Sequence, residues 1–357
     1  MKINKLLVTL FLGSILFTSC SDDSEPQTDI KGDYENGILI SGEGTTSVSG
    51  SVSFVSNDYS RVVNTIYKKV NNLEFGEYVQ SITFDKDRAY IVADNQNTIT
   101  VVNRYTFEKV GAINTGLLKP RYMTIIGSKG YITNWGETSN DSDDFVAVAD
   151  LNTFQVEKKI NVILGPERII AKEGKLYVSH QGAFGNNNKV VVINASTNTV
   201  EKEIEVKDRP DEIYVNDSGA IVVLSQGRTI YDTNWNVTGH TLAAISFINT
   251  NEGKVTSELV FKEGEHPSQM IINGNSIYYN LGNDIYKTDM NSTVLPTSKH
   301  LTAEASYLYG LAAKDNNLFV LDASFTGKSK LKVYDLGLKT KTIEKEVALG
   351  ASKIYFN

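Results

Sequence analysis

The chain holds a single cysteine, Cys20, among 357 residues. No disulfide can form within it, so burial alone must stabilise it, and a chain of this length can bury a large core. Histidine is scarce too. His180, His240, His266 and His300 show neither the paired spacing of a zinc site nor the His/Glu helical motif of a metalloprotease. A basic excess is lacking: the formal net charge is −7. That disfavours nucleic acid or an anionic membrane surface as a general partner and says nothing against a small ligand. No apolar run reaches the roughly 20 residues that cross a bilayer. Long helical periodicity is absent beyond the first twenty residues. Catalytic groupings are missing as well. Ser179 and His180 are neighbours on a strand end, where adjacent side chains point opposite ways, and no nucleophile–base pair is evident. Gly42-Glu43-Gly44 is not followed by a helix, so it is no phosphate cradle. Asn140-Asp141-Ser142-Asp143-Asp144 lacks the glycine and distal glutamate of an EF-hand loop and reads as a solvated acidic loop. No enzyme activity, metal or resident cofactor is expected.

What is present begins with Lys2 and Lys5 ahead of an apolar run from Leu6 to Phe17, a charged n-region and an h-region. Leu16-Phe17-Thr18-Ser19-Cys20 then resembles a bacterial lipobox. The resemblance implies cleavage after a signal peptide of residues 1–19 and lipidation of Cys20, which also explains a lone thiol in an exported chain. Residues 20–33 are polar, contain Pro26 and read as a tether. Asp22, Asp23 and Glu25 resemble the surface-export signal of lipoproteins in some Gram-negative bacteria. Outer-membrane anchoring with exposure at the cell surface is therefore expected.

Residues 34–357 form a degenerate repeat. Pro120-Arg121-Tyr122-Met123, Pro166-Glu167-Arg168-Ile169, Pro210-Asp211-Glu212-Ile213 and Pro267-Ser268-Gln269-Met270 each precede a second apolar run, such as Lys175-Leu176-Tyr177-Val178-Ser179. A third run such as Val190-Val191-Val192-Ile193-Asn194 follows, then a turn and Val200–Val206. The β-branched, alternating runs bounded by Asn, Asp, Gly and Ser are strand and hairpin chemistry. Units begin near Val79, Pro120, Pro166, Pro210, Pro267, Tyr307 and Ser352, a period of roughly 40–50 residues with four strands, the mark of a β-propeller. The last unit, Gly350–Asn357, matches only a first strand, and the first unit, from Gly37, lacks one. The fold expected is all-β: a seven-bladed β-propeller closed by pairing of the C-terminal strand with the N-terminal blade. The one long step, from Pro210 to His266, is where a miscounted blade would hide.

In such a ring the loops between second and third strands share a face with the loops entering the next blade. The second-to-third loops hold the surplus length, as in Asn134 to Asp144, His180 to Asn188 and Ser225 to His240. Loops enlarged on one face of a rigid scaffold suggest a binding site. Trp135, Phe184, Tyr231, Trp235 and Phe325 fall there, with His180. The entering loops add Tyr78, Arg121, Tyr122, Glu167, Arg168, Asp211, Glu212, Gln269, Tyr307, Tyr309 and Lys353 near the channel. Aromatic faces with convergent polar groups suit a large, flat or amphipathic ligand. The ligand-contacting set expected is Tyr78, Tyr122, Trp135, Arg168, His180, Phe184, Tyr231, Trp235, Tyr307 and Phe325. Any one of these could instead pack loops onto blades.

The repeats resemble the YncE-like, YVTN-type propellers, with Tyr131-Ile132-Thr133-Asn134-Trp135-Gly136 the nearest local copy. Asn36–Gly44 followed by Gly50-Ser51-Val52-Ser53-Phe54 is similar to the opening blade of surface lipoproteins containing a domain of unknown function. Gly42 stands where that group carries Asn. Seven-bladed surface lipoproteins that capture cobalamin for TonB-dependent transporters are similar, and a related type captures ferric siderophores. The resemblance implies a monomeric surface protein that binds a scarce nutrient, cobalamin first, and hands it to a TonB-dependent outer-membrane transporter. An adhesion propeller binding glycan or protein is the other reading, with an enzyme behind both.

Overall fold

The middle runs of each repeat are apolar on both faces because both faces are covered. In the computed structural model, which describes residues 31–357, the repeats fold as seven four-stranded antiparallel sheets arranged as propeller blades. In Lys189–Asn194 the four central residues are buried, whereas Thr199–Glu205 beside it exposes all but Ile204. The first sits between neighbouring blades, and the second forms the outer rim. One apolar cluster fills each gap between adjacent blades, seven in all.

Blade 1 is composite. Ala351–Phe356 forms its innermost strand beside Gly37–Gly42, with Ile38 opposite Phe356 and Ile40 opposite Ile354; Ser51–Ser56 and the short Val62–Val63 complete it. The expected closure is thus the observed one. Blade 2 runs from Val79 to Ile113, blade 3 from Pro120 to Asn161, blade 4 from Pro166 to Glu205 and blade 5 from Pro210 to Val260. Blade 6 runs from Met270 to Thr302 and blade 7 from Leu308 to Val347. In blade 6, Pro267 precedes the inner strand instead of opening it. The long step in blade 5 is an insertion, not a hidden blade: Arg228–Tyr231 and Val237–Thr241 pair as a separate two-stranded hairpin. One helix, Ile66–Asn71, buries Ile66 and Tyr67 between blades 1 and 2, and Tyr67 stacks on Phe75 at 4.1 Å.

The short turns that join third to fourth strands repeat one device. Asn103, Asp150, Asn194 and Asn249 each accept two following backbone N–H groups on Oδ1. The residue four positions on, Phe107, Phe154, Asn198 or Gly253, has positive φ and donates its N–H back to the same residue's carbonyl. Asx side chains satisfy the turn's backbone locally, so this face needs no long loops.

The expected signal peptide, the expected lipidation site Cys20 and the expected tether as far as residue 30 lie outside the described residues. The chain enters on the short-turn face: Tyr34 N donates to Tyr105 O and Arg61 to Asp33 O. Asn357 joins the same corner by donating to Tyr34 O and Arg104 O.

Candidate binding site

Two backbone features at the start of the inner strands create the site. In blades 2 to 5 the residue before the inner strand has left-handed φ: Tyr78 55°, Lys119 50°, Gly165 71° and Arg209 57°. At Gly165 a Cβ would lie 2.2 Å from Ala183 N, so that position also requires glycine's small size. The inner strand then slips register against its neighbour, between Val79 and Ser81, Pro120 and Met123, Pro166 and Ile169, and Pro210 and Ile213. A bulge re-aims the residues within it. Gln80, Arg121, Tyr122, Glu167, Arg168, Asp211 and Glu212 all sit in these bulges. The outcome is a funnel of about 510 Å³ at the channel mouth on the long-loop face, within the usual range for ligand sites.

Across blades 2 to 5 the wall is a belt of charges joined from blade to blade. Arg121 donates from Nη1 to Asp94 at 2.6 Å and from Nε and Nη2 to both Glu167 oxygens at 3.1 and 3.0 Å. Its guanidinium lies 3.8 Å from the Trp135 ring centroid, and Trp135 Nε1 donates to Pro166 O at 3.0 Å. Burial opposes the charge of Arg121, but Glu167 and Asp94 outweigh it and hold the group above its ordinary value. Arg168 repeats the arrangement one blade on, donating to Asp211 at 2.8 Å and Glu212 at 2.6 Å above the Tyr122 ring. Tyr214 donates to Glu212 at 3.0 Å, and Gln226 Nε2 donates to Asp211 at 3.2 Å. Burial pushes Glu212 up, with Arg168 pulling it back.

On blade 7 the wall is aromatic, and blade 1 adds Glu43 and Lys353. Tyr307 stacks on Tyr309 at 5.1 Å, and Phe325 lies edge-on to Tyr309 at 5.8 Å. Tyr309 Oη donates to Glu43 at 3.1 and 3.2 Å. Burial raises the Glu43 carboxyl, while Lys353 and the tyrosine hydroxyl lower it. Tyr307 and Phe325 keep 51% and 39% of their surface exposed, so this shelf can still accept a partner.

Side chains at two further repeat positions hold the belt in place. Thr133 and Ser179 donate across the gap to Glu167 O and Asp211 O, both in the next blade. One residue later, Asn134, His180 and Asp322 close the second strands, Asn280 stands one residue before the end of its own, and all four fasten their own blades' entering loops. Asn134 accepts from Leu118 N, Asn280 from Ser268 N and Gln269 N, and Asp322 from Ser306 N and Tyr307 N. His180 meets Leu164 O through Nδ1 at 3.2 Å. It is fully buried, and that burial pushes it down to about 4, so the ring is neutral at pH 7. Asp144 grips the next residue of the same loop by accepting from Gly165 N, and its burial raises it to about 6.

Of the ten side chains expected at a ligand, Tyr78, Tyr122 and Tyr307 line the funnel. Phe325 borders it through the tyrosine pair, and Arg168 and Trp135 are engaged in the belt. His180 lies beneath the surface as a loop brace. Phe184, 68% exposed, sits edge-on to Trp135 at 5.6 Å. Tyr231 and Trp235 pack on each other at the tip of the blade 5 hairpin, Trp235 being 80% exposed; the aromatic contacts do not join the two tryptophans. Glu43, Gln80, Asp94, Gln181, Arg209 and Gln226 line the funnel and were not singled out by sequence. A signal existed for three of them: Gln181 and Gln226 directly follow the residues that close the second strand, and Arg209 directly precedes a repeat proline.

In the acidic loop at Asn140–Asp144, Asp143 accepts from Glu137 N and Asn140 from Ser142 N. Among the described residues, no three His, Cys, Asp or Glu side chains group as metal ligands. A wider opening of about 800 Å³ lies on the short-turn face between blades 2 and 3. It is lined by turn residues such as Asp85, Lys86 and Ser128, without an aromatic shelf like that of the funnel.

The fold and site together define a seven-bladed propeller with a funnel, part ionic belt and part aromatic shelf, at one mouth. The chain belongs to the DUF5074 family, a domain of unknown function, which it matches over residues 36–345. No curated protein matches it. Among solved structures it is similar to a functionally unknown protein from Desulfotomaculum acetoxidans DSM 771, at TM-score 0.65 and 12% identity, covering 90% of this chain and 98% of that one. A quinonprotein alcohol dehydrogenase-like protein from Bacteroides thetaiotaomicron VPI-5482 has TM-score 0.64 and 14% identity, over 91% and 79% of the two chains. The periplasmic gluconolactonase of Pseudomonas aeruginosa has TM-score 0.64 and 11% identity, over 90% and 98%. At such identities the likeness shows the fold alone, a β-propeller.

Proposed function

We propose that this protein is a surface-exposed, lipid-anchored binding protein, not an enzyme, that takes a scarce nutrient in the funnel and passes it to a TonB-dependent outer-membrane transporter. Cobalamin is the favoured nutrient. The observation that carries this reading is the pairing of unlike walls around one cavity. An aromatic shelf at Tyr307 and Phe325 faces a polar wall that includes Gln80, Gln181, Gln226 and Gln269. Cobalamin presents a broad macrocycle fringed by carboxamides, which match aromatic faces and glutamine side chains in turn. It is larger than the cavity and would span the mouth, toward Phe184 and the Tyr231–Trp235 hairpin.

A ferric siderophore is the runner-up. Many such complexes carry several negative charges, whereas Arg121 and Arg168 are already closed by carboxylates and only Arg209 and Lys353 of the funnel's cations lack an ion-pair partner among the described residues. Chain entry on the face opposite the funnel supports a tether that leaves the funnel free. Calorimetric titration of the mature protein with cyanocobalamin at micromolar concentration should give saturable binding near one to one. No heat would remove cobalamin, and titration with a ferric catecholate would then follow. Cys20→Ala should abolish membrane retention and leave ligand binding intact.

A further inference from the structure

Among the charged groups of the funnel, Arg209 stands apart. Arg121 and Arg168 are each closed by two carboxylates. Arg209 lines the same cavity, yet among the described residues no carboxylate lies within ion-pair distance of it. Its Nε is buried and has no hydrogen-bond partner. A guanidinium offers five N–H donors in a planar fork, and here that fork is unfilled.

The backbone keeps it there. Arg209 adopts a left-handed φ of 57°, a costly conformation for a non-glycine residue unless its surroundings enforce it. They do: Arg209 N donates to Asn187 O at 2.8 Å, and Gln226 N donates to Arg209 O at 3.0 Å. The nearest acids are already engaged. Asp208 accepts from Arg228 at 3.0 Å, and Asp211 accepts from Arg168 and Gln226. Gln181 and Gln226 line the cavity with it. Lys353, from blade 1, adds a second cation without a carboxylate at ion-pair distance among the described residues.

We infer that Arg209 is the seat for one anionic group, a phosphate or a carboxylate, carried by the ligand of this funnel. Guanidinium geometry matches both through paired N–H donors. The seat fits a mostly neutral ligand bearing a single acidic group, because Arg121 and Arg168 are already closed by carboxylates and offer no free fork to a second. The inference deepens the ligand reading above, and its test does not depend on cobalamin.

Inorganic phosphate and malonate would be titrated into the mature protein at constant ionic strength, since screening alters such contacts, and followed by thermal shift and calorimetry. The wild type should bind at least one of the two saturably in the millimolar range. Arg209→Gln should weaken that binding at least about tenfold, and Arg209→Lys should retain part of it. The Arg209→Gln protein should melt no lower than wild type without anion, because the substitution removes a buried unpaired nitrogen; that melt also reports that it folds. Whichever anion binds tighter identifies the group. Equal binding by wild type and Arg209→Gln, or no saturable binding by the wild type up to about 50 mM of either anion, overturns the inference. A protein that takes phosphate at Arg209 but refuses cyanocobalamin keeps this seat and loses that ligand.

Discussion

Across blades 2 to 5 most charges of the funnel wall are closed into ion pairs, whereas on blade 7 it is a shelf of tyrosine and phenylalanine on which Tyr307 and Phe325 keep exposed faces. Both walls come from the same positions of one repeat. Arg121, Glu167 and Asp211 occupy bulges that follow Pro120, Pro166 and Pro210, and Tyr309 occupies the matching slip between Leu308 and Gly310. The scaffold therefore aims a side chain into the channel in every blade, and its chemistry alone decides whether it locks to a neighbour or waits for a ligand. Arg121 and Arg168 in the ionic wall are spent on carboxylates of neighbouring blades and tie blades 2 to 5 together, while Arg209 is left unpaired among the described residues. The aromatic wall keeps exposed ring surface at Tyr307 and Phe325.

Removing the cation from the belt should break the comparison most forcefully. Arg121→Met strands Asp94 and Glu167, whose side chains are 12% and 4% exposed, without a positive partner. Loss of one member of a buried pair costs about 3–5 kcal/mol, measurable by urea unfolding. Adding Asp94→Asn and Glu167→Gln should restore much of it. A loss below about 1 kcal/mol would mean the belt is solvated and holds nothing.

A smaller effect should appear in pH dependence, at the loop gripped by both His180 and Asp144. His180 is lowered from 6.5 to about 4. Its contribution is fully present above 6.5 and is lost as pH falls toward 4. Asp144 is raised from 3.8 to about 6. Its contribution is fully present below 3.8 and is lost as pH rises through 6. Between about 4 and 6 the two slopes oppose each other, by linkage. His180→Asn, which installs the residue found at this position in blades 3 and 6, should gain stability relative to wild type on acidification across that window. Asp144→Asn should lose it more steeply than wild type. Urea midpoints at pH 4, 5, 6 and 7 check both, and parallel curves for all three proteins would rule out this pairing of effects.

The least costly change to the fold should fall on the open wall. Tyr307→Ala removes a half-exposed ring stacked on Tyr309 and should cost about 0.5–1.5 kcal/mol of stability. Cyanocobalamin affinity should nevertheless fall at least about tenfold, or about 1.4 kcal/mol. Unchanged affinity by calorimetry would show that the shelf is structural.

Much of the architecture was legible in the sequence because it is periodic. The strand alternation, the spacing of Pro120, Pro166 and Pro210, and the orphan strand at Ala351–Phe356 together dictate a closed seven-bladed ring. The residues after each repeat proline could be assigned to the channel on the same basis. Pairing was not legible. Arg121 meets Asp94 and Glu167, 27 and 46 positions away, because three blades converge on the channel. His180 looked like an isolated imidazole in a long loop. Its equivalence to Asn134, Asn280 and Asp322 emerges only when the structure shows all four at the ends of second strands, bonded to their own blades' entering loops. Arg209 carried no local pattern beyond preceding a proline.

The sequence by itself determined the ring, its closure and the face that holds the long loops, since these follow from apolar period and turn chemistry, which are local. Only the tertiary structure decided which charges are spent on one another and which, like Arg209, remain available. That choice depends on bulged backbones from different blades meeting within about 3 Å, the reach of a hydrogen bond, and no spacing along the chain encodes so short a distance.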